Sequence, residues 1–166
     1  MSYDLDMILR QGYIAEAQGR GFLHDIFSAL KHVHGLGLIH RDIKPSNILM
    51  KSPSGPAYLA DFGIVWDPDD PASESANEKI TDVGTTSYRA PDVLFGRGSY
   101  DQSLDIWAAG CVAAQVATSS IEPLFDSGDV GSDLTLIQSI FKKLGTPTPE
   151  IWPVSTVAPP QPRRCC

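Results

Sequence analysis

Cysteine is scarce in this chain of 166 residues: Cys111, Cys165 and Cys166 are too few for a disulfide framework or a zinc site. Long apolar runs are missing as well. None approaches the roughly eighteen residues of a membrane span, and Met1-Ser2-Tyr3-Asp4 opens no signal peptide. Positive charge is in deficit, with 13 Lys and Arg against 20 Asp and Glu and a formal charge of -7, which argues against a nucleic-acid partner. No internal repeat is visible. These shortages point to an intracellular protein of cytoplasm or nucleus, with Cys111 a buried thiol in an apolar helical run. The length suits one domain with its own core.

What is present is helical periodicity. Leu5, Ile8 and Leu9 give a short apolar face that ends at Gly12, and Phe22, Ile26, Phe27, Leu30 and Val33 recur at the spacing of a helix laid on a core. Gly35 and Gly37 stop that helix, and Leu38-Ile39 form a brief extended stretch. Ile48-Leu49-Met50 and Tyr58-Leu59-Ala60 read as two short strands around the turn Ser52-Pro53-Ser54-Gly55-Pro56. Positions 67–77 carry three Asp, one Glu and two Pro without periodicity, the composition of a mobile acidic loop. A short segment starts at Pro91. A helix from Ser103 to Thr118 is apolar nearly all round, which predicts a central place. Leu134, Ile137, Ile140, Phe141 and Leu144 mark a last helix, with Lys142 and Lys143 suited to its final turn. His24, His32 and His34 lack partners at ligand spacing and read as surface or packed helix residues.

The chemistry gathers in His40-Arg41-Asp42-Ile43-Lys44-Pro45-Ser46-Asn47, followed by Asp61-Phe62-Gly63. An Asp, a Lys two residues on and an Asn five residues on place a base, a cation and a metal ligand on one loop. A second Asp beside a Gly, after an apolar strand, adds another hard oxygen ligand at a turn. That set suits phosphoryl transfer, where the protein mostly positions groups and neutralises charge. In order and separation the two motifs resemble the catalytic loop and metal-binding triplet of the eukaryotic protein kinases.

The resemblance continues along the chain. Gly84-Thr85-Thr86-Ser87-Tyr88-Arg89-Ala90-Pro91-Asp92 looks like the end of a kinase activation segment, and Asp105-Ile106-Trp107-Ala108-Ala109-Gly110-Cys111 like the central helix of the large lobe. Glu122-Pro123-Leu124-Phe125, Leu144-Gly145-Thr146-Pro147-Thr148 and Trp152-Pro153 resemble the cyclin-dependent branch. The implied fold is protein-kinase-like: a mainly α-helical C-terminal lobe with short β-hairpins over residues 1–154, then a Pro-rich flexible tail over 155–166. The implied function is a serine/threonine protein kinase transferring the γ-phosphate of ATP with Mg2+. By this likeness Asp42 accepts or aligns the substrate hydroxyl and Lys44 reaches the transferred phosphate. Asn47 and Asp61 hold the metal, while Asp4 and Leu49 line the nucleotide site. Phe62 packs as a wedge and His40 supports the loop from beneath. Thr85 contacts Asp42 and Lys44 and favours Ser/Thr specificity. Arg89 shapes the pocket after the phosphoacceptor, and Asp105 ties down the loop backbone. Arg41 pairs with an activation-segment phosphate for which Thr81 is the nearest candidate acceptor, the alternative being that Thr81 is an unmodified surface residue. The implied partners are a protein substrate and a cyclin-like regulatory protein.

Two departures from the family pattern stand out. Ala90-Pro91-Asp92 replaces the usual Ala-Pro-Glu, which leaves Asp92 expected without its arginine partner. No Gly-x-Gly-x-x-Gly stretch or Val-Ala-x-Lys strand precedes the catalytic loop, so the N-terminal β-rich lobe is expected to be missing and the isolated chain weakly active or inactive. A non-catalytic regulatory or scaffolding protein derived from a kinase is the alternative. The terminal Cys165-Cys166 invites a lipid-anchor reading, but the four-residue prenylation signal would need its Cys where Arg163 stands, so a membrane anchor is not expected.

Overall fold

The computed structural model describes residues 3–148. The tail predicted at 155–166, with Cys165 and Cys166, and the Trp152-Pro153 motif lie outside the described residues. Strand β1 (Tyr3–Asp4) leads directly into α1 (Leu5–Leu9), and α2 (Glu16–Gly35) follows. A 3-10 turn at Pro45–Asn47 precedes β2 (Ile48–Met50) and β3 (Ala57–Leu59). A second 3-10 turn at Thr86–Tyr88 precedes α3 (Pro91–Leu94), α4 (Ser103–Thr118) and α5 (Asp133–Leu144).

Helix α2 forms because Phe22, Ile26, Leu30 and Val33 fall on one side and bury there. Each such fully buried side chain contributes about 1.5–3 kcal/mol relative to exposure. Phe27, on the flank of the stripe, remains 40% exposed. The helix begins six residues before Phe22, where only Gly19 among the first residues is buried. That glycine marks the crossing of α2 and α4, since a Cβ there would lie 3.0 Å from Val116 Cγ1. Helix α4 is central as expected: Leu104, Ala108, Ala109, Cys111, Val112 and Val116 are all buried, together with the polar Asp105 and Gln115.

The three strands make one antiparallel sheet in the order β1-β2-β3. The second strand spans Ala57–Leu59, one residue earlier than Tyr58–Ala60, because Met50 pairs with Ala57. The pairing of β1 with β2 had no alternating pattern to announce it. Ile48 and Met50 face the core with Leu5, Ile8, Phe22 and Ile43. Leu38-Ile39 is extended as predicted, and Ile39 pairs with Trp66 in a short bridge.

Helix α5 keeps part of its expected face: Ile140 is buried and Phe141 packs beside it, Leu136 joins them against Cys111 and Phe125, and Leu134 at 73% and Leu144 at 63% are exposed. Ser132 caps its N-terminus by accepting the Thr135 N–H, and Gly145 ends it with φ 88°.

Candidate active site

The catalytic loop is suspended between two buried anchors. Asp105, 1% exposed on α4, accepts the His40 N–H at 2.8 Å and the Arg41 N–H at 2.9 Å. Its Oδ2 also accepts the His34 Nε2–H at 2.8 Å. Those bonds hold Arg41 at φ 70°, a left-handed conformation that costs a non-glycine residue about 1–3 kcal/mol. From the other side, the His40 ring reaches the β3 end. Its Nε2–H donates to the Ala60 carbonyl at 3.0 Å, and its Nδ1 accepts the Asp42 N–H at 3.3 Å. This pairing specifies a neutral imidazole, and burial lowers the pKa of His40 below its usual value. The Phe62 ring meets His40 edge-on at 4.8 Å.

Asp42 is the hub. Its Oδ1 accepts the Thr85 N–H at 3.1 Å and the Thr85 hydroxyl at 2.9 Å. Its Oδ2 lies 2.7 Å from Lys44 Nζ and accepts the Asn47 amide at 3.0 Å. Lys44 Nζ also donates to Thr85 Oγ1 at 3.0 Å, closing a triangle of carboxylate, ammonium and hydroxyl. Burial pushes the Asp42 pKa up, but the hydrogen bonds from Lys44, Thr85 and Asn47 outweigh it and keep the carboxyl below its usual range.

The β2–β3 ladder brings the two metal-ligand candidates to one end of the hairpin. It runs one step past the strands, where the Ala60 N–H donates to the Asn47 carbonyl at 2.9 Å. Asn47 therefore stands opposite Ala60, next to Asp61. Asn47 gives its amide N–H to the Asp42 carbonyl at 2.9 Å as well as to Oδ2, which directs its hard Oδ1 acceptor away from that carboxylate. Asp61 adopts φ 65° and its exposed carboxylate accepts the Gly63 N–H at 3.3 Å. An amide oxygen and a carboxylate are the donor types magnesium takes, so the residues present fit that ion. Among the described residues no three His, Cys, Asp or Glu side chains converge, so a metal here would complete its shell with phosphate or water oxygens. In the middle of β2, Leu49 pairs directly with Asp4. The Asp4 carboxylate caps α1 through the Met7 N–H at 2.8 Å.

Of the activation-segment candidates, Arg41, Thr85 and Arg89 line one cavity beside Asp42, and Thr81 is not among its lining residues. Arg89 is tied to the Gly84 carbonyl at 3.2 Å, to Asp82 at 2.7 Å and to Asp133 on α5 at 3.2 Å. Arg41 meets the Glu74 carboxylate, each oxygen at 3.2 Å from Nη1, and not Thr81, which is half-buried. The stretch 67–77 is a series of hydrogen-bonded turns fastened by the Trp66 indole N–H to the Glu74 carbonyl at 2.9 Å. Asp92, expected without a partner, pairs with Arg97 at 3.0 Å because α3 turns back through Gly96. Glu74 and Lys79 went unnoticed in the sequence, and Gly84 was read only as the first residue of its motif. Glu74 is one acid among many in its loop, and nothing at that position distinguishes it. Gly84, at φ 75°, had a visible signal only in standing directly before Thr85. A Cβ there would lie 2.5 Å from the Arg41 carbonyl oxygen.

A catalytic loop hung on the central helix, a metal-ligand hairpin beside it and a threonine closing the base define a phosphotransferase site of the kinase kind. The protein kinase domain model matches residues 2–158, and the chain belongs to that family. It is 42% identical over 137 residues to the serine/threonine-protein kinase csk1 of Schizosaccharomyces pombe, covering 81% of this chain and 44% of that protein. It is 34% identical over 163 residues to human cyclin-dependent kinase 20, covering 96% of this chain and 44% of that protein. The crystal structure of the yeast RNA Pol II CTD kinase CTDK-1 complex superposes with a TM-score of 0.80 at 28% identity, over 92% of this chain and 47% of that one. The chain thus spans less than half the length of the curated relatives it matches, and the fold is that of the helical part of a protein kinase.

Proposed function

We propose that the chain provides the catalytic-loop side of a serine/threonine protein kinase of the cyclin-dependent branch, transferring the ATP γ-phosphate to a protein Ser or Thr hydroxyl. The Asp42–Lys44–Thr85 triangle carries this reading. Asp42 aligns the incoming hydroxyl and takes its proton, and Lys44, already within 2.7 Å of that carboxylate, shields the charge that builds on the transferred phosphate. Thr85 keeps the two side chains in register. Asn47 and Asp61 hold Mg2+, which supplies the charge neutralisation of the phosphates. Leu49 offers an apolar side to the nucleotide base, with Asp4 beside it at the ribose. Arg89 fixes the wall that receives the residue after the phosphoacceptor. Relatives named as cyclin-dependent kinases support a cyclin-like regulatory partner as well as a protein substrate. Cys111, the one cysteine among the described residues, is buried with its pKa pushed up to about 12 by that burial, which fits a reducing interior of cytoplasm or nucleus. None of the described helices is long and apolar enough to cross a membrane.

The test is phosphate transfer from ATP to Ser/Thr peptides with Mg2+ in the full chain. Asp42→Asn is expected to lower kcat by about 10²–10⁴ while leaving the unfolding midpoint close to the parent's. Against a parent with measurable turnover, an Asn variant equally active would overturn the assignment.

A further inference from the structure

The loop between α4 and α5 closes on itself. The Ser132 N–H donates to the Ser127 carbonyl at 2.7 Å and the Gly131 N–H to the Gly128 carbonyl at 3.1 Å. Its start is fastened to α5, where Ser139 Oγ accepts the Asp126 N–H at 2.9 Å. Gly128 and Gly131 supply left-handed positions, φ 71° and 70°, that so tight a loop requires. Within positions 126–132 only Ser127 is buried. A buried hydroxyl needs a partner. It finds Ser87 Oγ at 2.8 Å, in the turn Thr86–Tyr88 that directly follows Thr85. Contacts on either side repeat the link. Gly131 approaches Thr86 so closely that a Cβ on it would lie 3.2 Å from Thr86 Oγ1. Asp133, the first residue of α5, accepts from Arg89 Nη1 at 3.2 Å. On α4, Gln115 accepts the Tyr88 hydroxyl at 2.9 Å. Residues 86–89 are thus fastened to both α4 and the loop, directly behind a threonine whose N–H and hydroxyl both reach Asp42.

We infer that Ser127 is a positioning residue for the peptide site: through Ser87 it sets the turn after Thr85, so the loop 126–132 governs how a protein substrate is received. This role rests on the kinase reading and adds a support beyond the catalytic loop and Arg89. Serine is the shortest hydroxyl side chain, so a bond between two of them holds the two backbones close together. The turn cannot shift away from the loop without breaking that bond. Thr85 moves with the turn, and its two bonds to Asp42 carry the effect to the base.

The test uses the full chain and reads amide hydrogen exchange at Thr85, Tyr88 and Arg89, whose N–H groups are all bonded. Ser127→Ala should speed exchange at these three about fivefold, as loss of one net hydrogen bond implies, and less in the core of α2. Ser127→Thr, which keeps the hydroxyl, should restore most of the protection. Ser87→Ala should match Ser127→Ala, and the double variant should go no further than either, since each loses the same bond. Where turnover is measurable, Ser127→Ala should raise the KM for a Ser/Thr peptide about fivefold with the KM for ATP unchanged. If Ser127→Ala does not fold, Ser87→Ala, at the less buried partner, must show the faster exchange alone. Unchanged exchange at the three amides, equal acceleration throughout the chain, or additive effects of the two substitutions would overturn the inference. Exchange needs no turnover, so a parent that transfers no phosphate bears on the kinase reading alone and leaves the exchange to decide the role of Ser127.

Discussion

The catalytic loop and the activation segment lie side by side, yet they are held in opposite ways. The loop hangs from groups supplied by distant elements: the buried Asp105 on α4, itself bonded by His34 of α2, and the Ala60 carbonyl after β3. The activation segment has almost no regular structure between Trp66 and Thr86 and is pegged by individual side chains, Arg41 to Glu74, Lys79 to Tyr100 and Arg89 to Asp82. The difference separates what must be permanent from what can be reset. A base and its cation need fixed placement whatever is bound. A segment that admits a protein substrate is better held by a few polar pegs than by a packed core.

The comparison breaks most severely at its permanent side. Asp105→Ala removes the acceptor of two buried backbone N–H groups and is expected to cost roughly 3 kcal/mol, read as a lower urea midpoint. At the junction of the two regions, Gly84→Ala sets a methyl 2.5 Å from the Arg41 carbonyl at positive φ. The expected result is about a 100-fold loss in kcat/KM with a smaller change in stability, as for a displacement of about 1 Å at a reacting group. If activity and stability fall together, the two regions are not separable there.

Acid provides a milder probe of the loop. Burial lowers the pKa of His40 in the folded protein below its usual value of about 6.5, so the unfolded chain binds the proton more readily. Stability from the neutral ring is fully present above about pH 6.5 and is lost as pH falls from there toward the lower folded value. His40→Gln should flatten that part of a stability–pH profile. The smallest effect is expected at the surface, where Arg97→Ala removes the partner of Asp92. Both side chains are substantially exposed, and the change in unfolding free energy should stay below about 1 kcal/mol.

Much of the permanent side was legible in the sequence. Period and composition placed α2 and α4, and the spacing of Asp42, Lys44 and Asn47 put on one loop three side chains that meet in the structure. Local constraints explain this: helix faces and a short loop fix their own residues. The pegs of the activation segment were hidden for the converse reason. Glu74 finds Arg41 across 33 residues of turns, and no periodicity reports a contact made by chain path alone. Thr81 was the motif's candidate to bring a phosphate to Arg41, and in the unmodified chain the turns at 67–73 bring Glu74 to that guanidinium. The same limit explains α5. Leu134 and Leu144 fit the apolar pattern as Ile140 does, but Leu136 is buried in their stead because Phe125 and Cys111 stand on that side. Asp92 was misjudged by looking for a distant arginine when Gly96 brings Arg97 within reach.

The Asp42 carboxylate shows one consequence of so complete an arrangement. A carboxylate has about four acceptor positions, and here Thr85 takes two through its N–H and hydroxyl while Lys44 and Asn47 take the others. At rest the group is a full socket and, with its pKa held down, a poor proton acceptor. On the proposed kinase reading, a substrate hydroxyl would enter by exchange, displacing one tenant before it is aligned. If Lys44 turned toward an arriving phosphate it would vacate Oδ2, and the movement that shields the phosphate would make Asp42 more basic. Vacancy and basicity would then rise together, and only with both substrates in place.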